Sequence, residues 1–166
     1  MSAQPAPNFT LNHIKGHPVS LGDFRGRTIV LIFGGRDSAE QSRQISAVLR
    51  RAYSPDQLPL LQVLDLHNLP KMLQGIAKGQ VEKAYQEAAQ EATTNLQAAG
   101  RPVPADMAQA IIILPDWDGK VTSSFGLSGV DKQAVAVAVD GDGVIRGYGA
   151  GAQGGEQVLS LFGQGA

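Results

Sequence analysis

An α/β fold, with a mixed central sheet covered by helices on both faces, is what this sequence predicts, and three stretches carry that reading. TIVLIF, Thr28 to Phe33, is continuously apolar and rich in β-branched residues, as a strand buried on both faces should be. It passes through Gly34 and Gly35 into a segment of helical period and then into a second apolar run, LPLLQVLDL, Leu58 to Leu66. Strand, helix and strand in that order predict a βαβ unit with parallel strands and a right-handed crossover. Near the C-terminus, AVAVAVDGDGVIRGYGAG places two strand-forming runs about an Asp-Gly turn, which adds an antiparallel hairpin.

The 166 residues suffice for one hydrophobic core and are too few for two ordinary domains, so residues 1–166 read as a single domain. With 14 basic and 15 acidic residues the net charge is -1, which gives no field to collect nucleic acid or an anionic membrane. No apolar run approaches the roughly 20 residues of a membrane span, and MSAQPAPNF lacks a basic region followed by an apolar one. The expected location is the cytoplasm. There is no cysteine, which removes disulfides, thiol nucleophiles and thiolate metal sites.

Residues 1–8 are small, polar and proline-bearing, the composition of a flexible arm. Phe9 and Leu11, a turn near Lys15 and Gly16, then Val19 and Leu21 suggest a small hairpin. After Gly35, the residues Ile45, Val48, Leu49 and Ala52 share one helical face, and Pro55 and Pro59 end that helix. A long helical region follows, in which Leu73, Ala77, Val81, Ala84, Ala88 and Ala92 make a stripe. Gly75 and Gly79 weaken it, so a short helix after Pro70 and a longer one from about Gln80 to Leu96 are expected. AGRPVP is a connection, Gln109 to Asp116 a buried strand, and Val121 to Leu127 a short helix with Phe125 inward. The terminal hairpin spans Ala134 to Val139 and Val144 to Tyr148, and Gln153 to Phe162 forms a closing helix.

This order, together with APNFTLNHIKGHPVSLGDFRGRTIVLIFGG, ILPDWDGKVTSSFGL and AVAVAVDGDGVIRGYGAG, resembles the thioredoxin-like superfamily, particularly its peroxiredoxin (AhpC/TSA) and TlpA-like branches. The resemblance implies a thioredoxin-like fold with residues 69–104 inserted. Its functional positions are substituted. In the TlpA-like register the two cysteines of CxxC fall on Ser38 and Gln41. In the peroxiredoxin register the peroxidatic cysteine falls on Ser42 and its threonine on Ala39, while Asp37 retains a loop aspartate. The cis-proline position falls on Ala134. A hydroxyl does not cycle through sulfenic acid or disulfide, so the fold carries over and the thiol chemistry does not. A redox-inactive protein acting by binding or scaffolding is the first expectation.

Ser38-Ala39-Glu40-Gln41 has the pattern of a capping box, with Ser38 and Gln41 exchanging bonds across the helix start and Ser42 outward or bonded locally. An alternative is a small-anion site using the helix amides, Arg36 and Arg43, opposed by Asp37 and Glu40. A third is a non-thiol enzyme in which Ser38 or Ser42 is served by His67 and Asp65, because His67 follows a parallel strand whose carboxyl end borders the α/β crevice. No metal site or cofactor is indicated, since Asp116 with Asp118 and Asp140 with Asp142 read as turn-formers. Tyr85 and Trp117 are candidate interface aromatics, and the alanine stripe suggests a homodimer.

Overall fold

Residues 4–163 are described in the structure, a computed structural model. In chain order the strands are β1 (Gln4–Pro5), β2 (Thr10–Asn12), β3 (Pro18–Ser20), β4 (Ile29–Gly34), β5 (Leu60–Asp65), β6 (Ile112–Asp116), β7 (Val135–Val139) and β8 (Val144–Ala150). The helices are α1 (Ala39–Ala52), α2 (Gln74–Ala98), α3 (Met107–Ala110), α4 (Lys120–Ser124) and α5 (Gly154–Gly163). A six-stranded sheet has the order β1-β8-β7-β4-β5-β6, with β4, β5 and β6 parallel and β7, β8 and β1 joined to them antiparallel. The mixed sheet and its βαβ unit are as the apolar runs predict.

Alternation along the strands divides the core into two faces. Leu31, Phe33, Val63 and Val137 pack with Phe9, Val19 and Leu21 of the β2–β3 hairpin region and with Phe125 after α4. Val30, Ile32, Ala136 and Ala138 pack against Ile45 and Leu49 of α1 and Val158 of α5. A third cluster joins Val81, Tyr85, Ala92 and Leu96 of α2 to Ile14, Ile111 and Ile113. Among the described residues no helix is long and apolar enough to cross a membrane.

Four expectations change. The arm is not free along its described part: Gln4 and Pro5 pair with Ile145 and Val144, Ala6 donates to Gly143 O at 2.8 Å, and the side chain of Ala6 is buried. The long helical region is one continuous helix from Gln74, preceded by a 3-10 turn at Lys71–Leu73, with no break at Gly79. Its buried stripe runs through Ala77, Val81, Tyr85, Ala92 and Leu96, leaving Leu73 and Ala84 exposed, because Tyr85 takes the inward place. The strand expected from Gln109 starts at Ile112, after the turn of α3.

Candidate functional site

Because β4, β5 and β6 are parallel, their carboxyl ends lie along one edge, and the chain leaves that edge at the start of α1, at His67 and at Trp117. The sequence-predicted catalytic candidates therefore lie on one side, Ser38 and His67 on loops and Ser42 in the first turn of α1. Their side chains do not form one constellation.

Ser38 ends the Gly34–Gly35 turn and immediately precedes α1. It is 0% exposed, donates its hydroxyl to Val130 O at 2.6 Å, and accepts the Gly35 amide at 3.0 Å. The expected capping box is absent: Ser38 makes no side-chain cap bond, and Gln41 Oε1 accepts from the Ala134 amide at 2.9 Å. Both side chains are drawn to the loop before β7 instead of to their own helix. Ser42 is also buried, so of its two expected states, outward or locally bonded, the outward one does not occur. A Cβ on Gly34 would meet the hydroxyl of Ser42 at 2.5 Å, and one on Gly35 would meet Asp131 Cα at 2.9 Å. Glycine at both positions allows the turn to lie directly under these neighbours.

Asp131 closes the same turn from above. Its Oδ1 accepts the Asp37 amide at 3.3 Å, so a carboxylate of the chain already lies at the place proposed for an anion. Arg43 is held by Glu40 at 3.0 Å and by Glu91 of α2. The hydrogen bond and charge of Glu91 hold its guanidinium above its ordinary pKa. Arg43 is thus directed across α1 and α2, while Arg36 remains exposed on the loop.

His67 does not serve either serine. Its Nδ1 pairs with Asp65 Oδ1 at 2.7 Å, and its amide donates to the same oxygen at 3.2 Å. Gly119, at φ +72°, packs onto this pair, where an added Cβ would lie 2.9 Å from His67 Cβ. The arrangement is an oriented imidazole without the serine that hydrolysis needs, since the Ser38 hydroxyl donates its hydrogen bond to the Val130 carbonyl. Trp117 is half-buried in the adjoining turn. Asp116 is fully buried and accepts the Thr122 amide at 2.8 Å and hydroxyl at 2.9 Å, so it fixes α4.

Tyr85 is not a surface anchor. It lies edge-on to His13 with ring centroids 5.5 Å apart, and Lys15 Nζ stands 5.1 Å above its ring. Among the described residues, no group of three His, Asp or Glu is arranged to hold a metal ion. Val130 and Asp131, which shape the start of α1, were missed in the sequence because SGVDKQ carries no periodicity and no motif.

No family model and no curated protein matches the chain. Solved structures do. The pneumococcal exposed lipoprotein thioredoxin from Streptococcus pneumoniae strain TIGR4 superposes with a TM-score of 0.64 at 14% identity, covering 95% of this chain and 99% of that one. A thiol:disulfide interchange protein of the thioredoxin family from Chlorobium tepidum gives 0.59 at 12% identity, over 99% and 97% of the two chains. The thioredoxin domain of a thiol-disulfide oxidoreductase from Bacteroides vulgatus gives 0.57 at 15% identity, over 98% of each. These likenesses span nearly the whole of every chain compared.

Proposed function

We infer that this chain, thioredoxin-like in fold and without a cysteine, works by binding and not by thiol redox chemistry. The observation that carries the non-redox half is the serine at the start of α1, whose hydroxyl is closed against Val130 in a chain that has no thiol to replace it. Support for binding comes from the surface. Met72 and Leu73, in the 3-10 turn before α2, and Ile76, in its first turn, are exposed close together in sequence, whereas the other large exposed apolar residues among those described, Val103 and Tyr148, are far from them in sequence. Scattered apolar residues are ordinary on a surface, but grouped ones mark contact sites.

The test is turnover by the purified protein with a disulfide substrate and with hydrogen peroxide. Rates equal to buffer, for the parent and for Ser38→Ala and Ser42→Ala alike, are expected. Turnover that follows the protein through every purification step overturns the non-redox reading. The thiol-disulfide neighbours favour the register that places Ser38 and Gln41 at CxxC over the peroxiredoxin register at Ser42.

A second reading, a small non-thiol enzyme, is favoured by one observation, the imidazole of His67 oriented by Asp65. Hydrolysis of an activated ester that disappears in His67→Ala and persists in Ser38→Ala would support it. A homodimer and a cytoplasmic location belong to the binding reading as well. Sedimentation over a range of concentrations and fractionation of cells test them, with a lone monomer and an exported protein as the contrary results.

A further inference from the structure

We propose that the stripe of Met72, Gly75, Ile76 and Gly79, flanked by Lys71 and Lys78, docks a short amphipathic helix of a protein partner whose apolar residues are bordered by carboxylates. The proposal rests on the binding reading above and names the surface and its partner's chemistry. Gly75, Ile76 and Gly79 lie on one side of α2, and Met72, in the 3-10 turn that leads into it, stands three and four residues before Gly75 and Ile76, while Ala77 and Val81 on another face enter the core. Met72 is 86% exposed and Ile76 64%. The stripe is about 10 Å long, the span of two helical turns.

Two features point to a close-packed, acidic occupant. Gly75 and Gly79 have nothing within 4 Å of an added Cβ, so the chain's own packing does not require either glycine. Each nonetheless lowers helix stability relative to alanine. What they provide is a strip of bare backbone beside an adaptable methionine, where another backbone can approach closely. The second feature is charge. From Leu66 to Val81 there is no carboxylate, and Lys71 and Lys78 are the cations, with His67 at the margin and Glu82 one turn beyond Lys78. A positive border in a chain of net charge -1 selects a negative partner.

Other occupants fit less well. A second copy related by a two-fold axis through the stripe would bring the lysines toward their own equivalents. An anionic bilayer would gain little from two lysines, and a two-turn apolar stripe adds little area.

The experiment is an amide NMR titration of the full chain with a synthetic peptide of about 14 residues, carrying leucines at helical spacing and glutamates elsewhere. Its lysine counterpart and phosphatidylglycerol vesicles are the other arms. Saturable shifts centred on Gly75 and Gly79 with the glutamate peptide, absent with the lysine peptide, are expected. Met72→Glu should weaken binding about tenfold. Gly75→Ala with Gly79→Ala should also weaken it while raising the melting temperature, which separates loss of the surface from loss of the fold. No saturable shift at millimolar glutamate peptide, or equal shifts with both peptides, overturns the proposal. So does vesicle binding without peptide binding, or self-association abolished by Met72→Glu. Shifts confined to another surface also overturn it, yet leave the general binding reading standing, whereas thiol turnover would remove that reading whatever the peptide does.

Discussion

His13 is buried with both ring nitrogens engaged: Nε2 meets Ile111 O at 2.9 Å, and Nδ1 accepts the Lys15 amide at 3.0 Å. That pattern requires the neutral ring protonated on Nε2. Burial lowers its pKa, the bond to Ile111 opposes this, and His17 and Lys15 lower it further. His17 stacks on the ring at 4.6 Å, and Tyr85, itself near Asp106, stands edge-on to it. A histidine with a depressed folded pKa binds fewer protons folded than unfolded. Stability is therefore full above the ordinary value of about 6.5 and falls as pH drops from there toward the lowered value. Denaturant titrations at pH 7.5 and 5.5 should show that loss, smaller in His13→Gln. Arg50 is 2% exposed, and burial brings its pKa down to about 10. It donates to Leu58 O at 2.7 Å. Arg50→Ala should cost about 3 kcal/mol in chemical unfolding, from the cavity and the carbonyl left without its donor.

At the scale of elements, α2 shows where local propensity loses to packing. Two glycines in its first turns suggested a break, but each opposes the helix by only about 1 kcal/mol. Burial of Ala77, Val81 and Tyr85 on one side outweighs them. Gly75→Ala and Gly79→Ala should each stabilise the chain by roughly 0.5–1 kcal/mol, read from the denaturation midpoint, because the space for each methyl is open. The start of α1 departs from its local sequence pattern for a different reason. Ser38 and Gln41 have a perfect local pairing in sequence, and their actual partners, Val130 and Ala134, lie 92 and 93 positions away. No local pattern announces such bonds. Gln41→Ala should cost about 1–2 kcal/mol by leaving the Ala134 amide without its acceptor, measured against Gln44→Ala on the exposed face of the same helix.

Across the whole molecule, the strands most legible in the sequence are those buried on both faces, since continuous apolar runs such as Ile29 to Phe33 leave little else to read. β1 was illegible because Gln4 and Pro5 join the sheet through backbone pairing, with exposed side chains that carry no pattern. The sheet order, with parallel and antiparallel halves meeting at β4, follows from the βαβ unit and the terminal hairpin. The candidate site was legible as a location and not as an arrangement: its edge follows from strand direction, while the partners of Ser38, Gln41 and His67 depend on how the returning loops pack. Ser38→Cys tests that packing. Its thiol should react with a bulky aromatic disulfide reagent far more slowly in the native protein than in denaturant, and equal rates would show the turn to be open.

The bond from Gln41 to the amide of Ala134 also constrains how this chain could change by mutation. A cysteine at 41 removes the acceptor that holds the strand before any disulfide can compensate, and a cysteine at 38 gives up the hydroxyl bond to Val130. Each first step is uphill, and neither alone supplies a redox pair. Placing cysteine at both positions thus passes through destabilised single variants, so that a lone substitution here meets selection on folding before it can meet selection on chemistry.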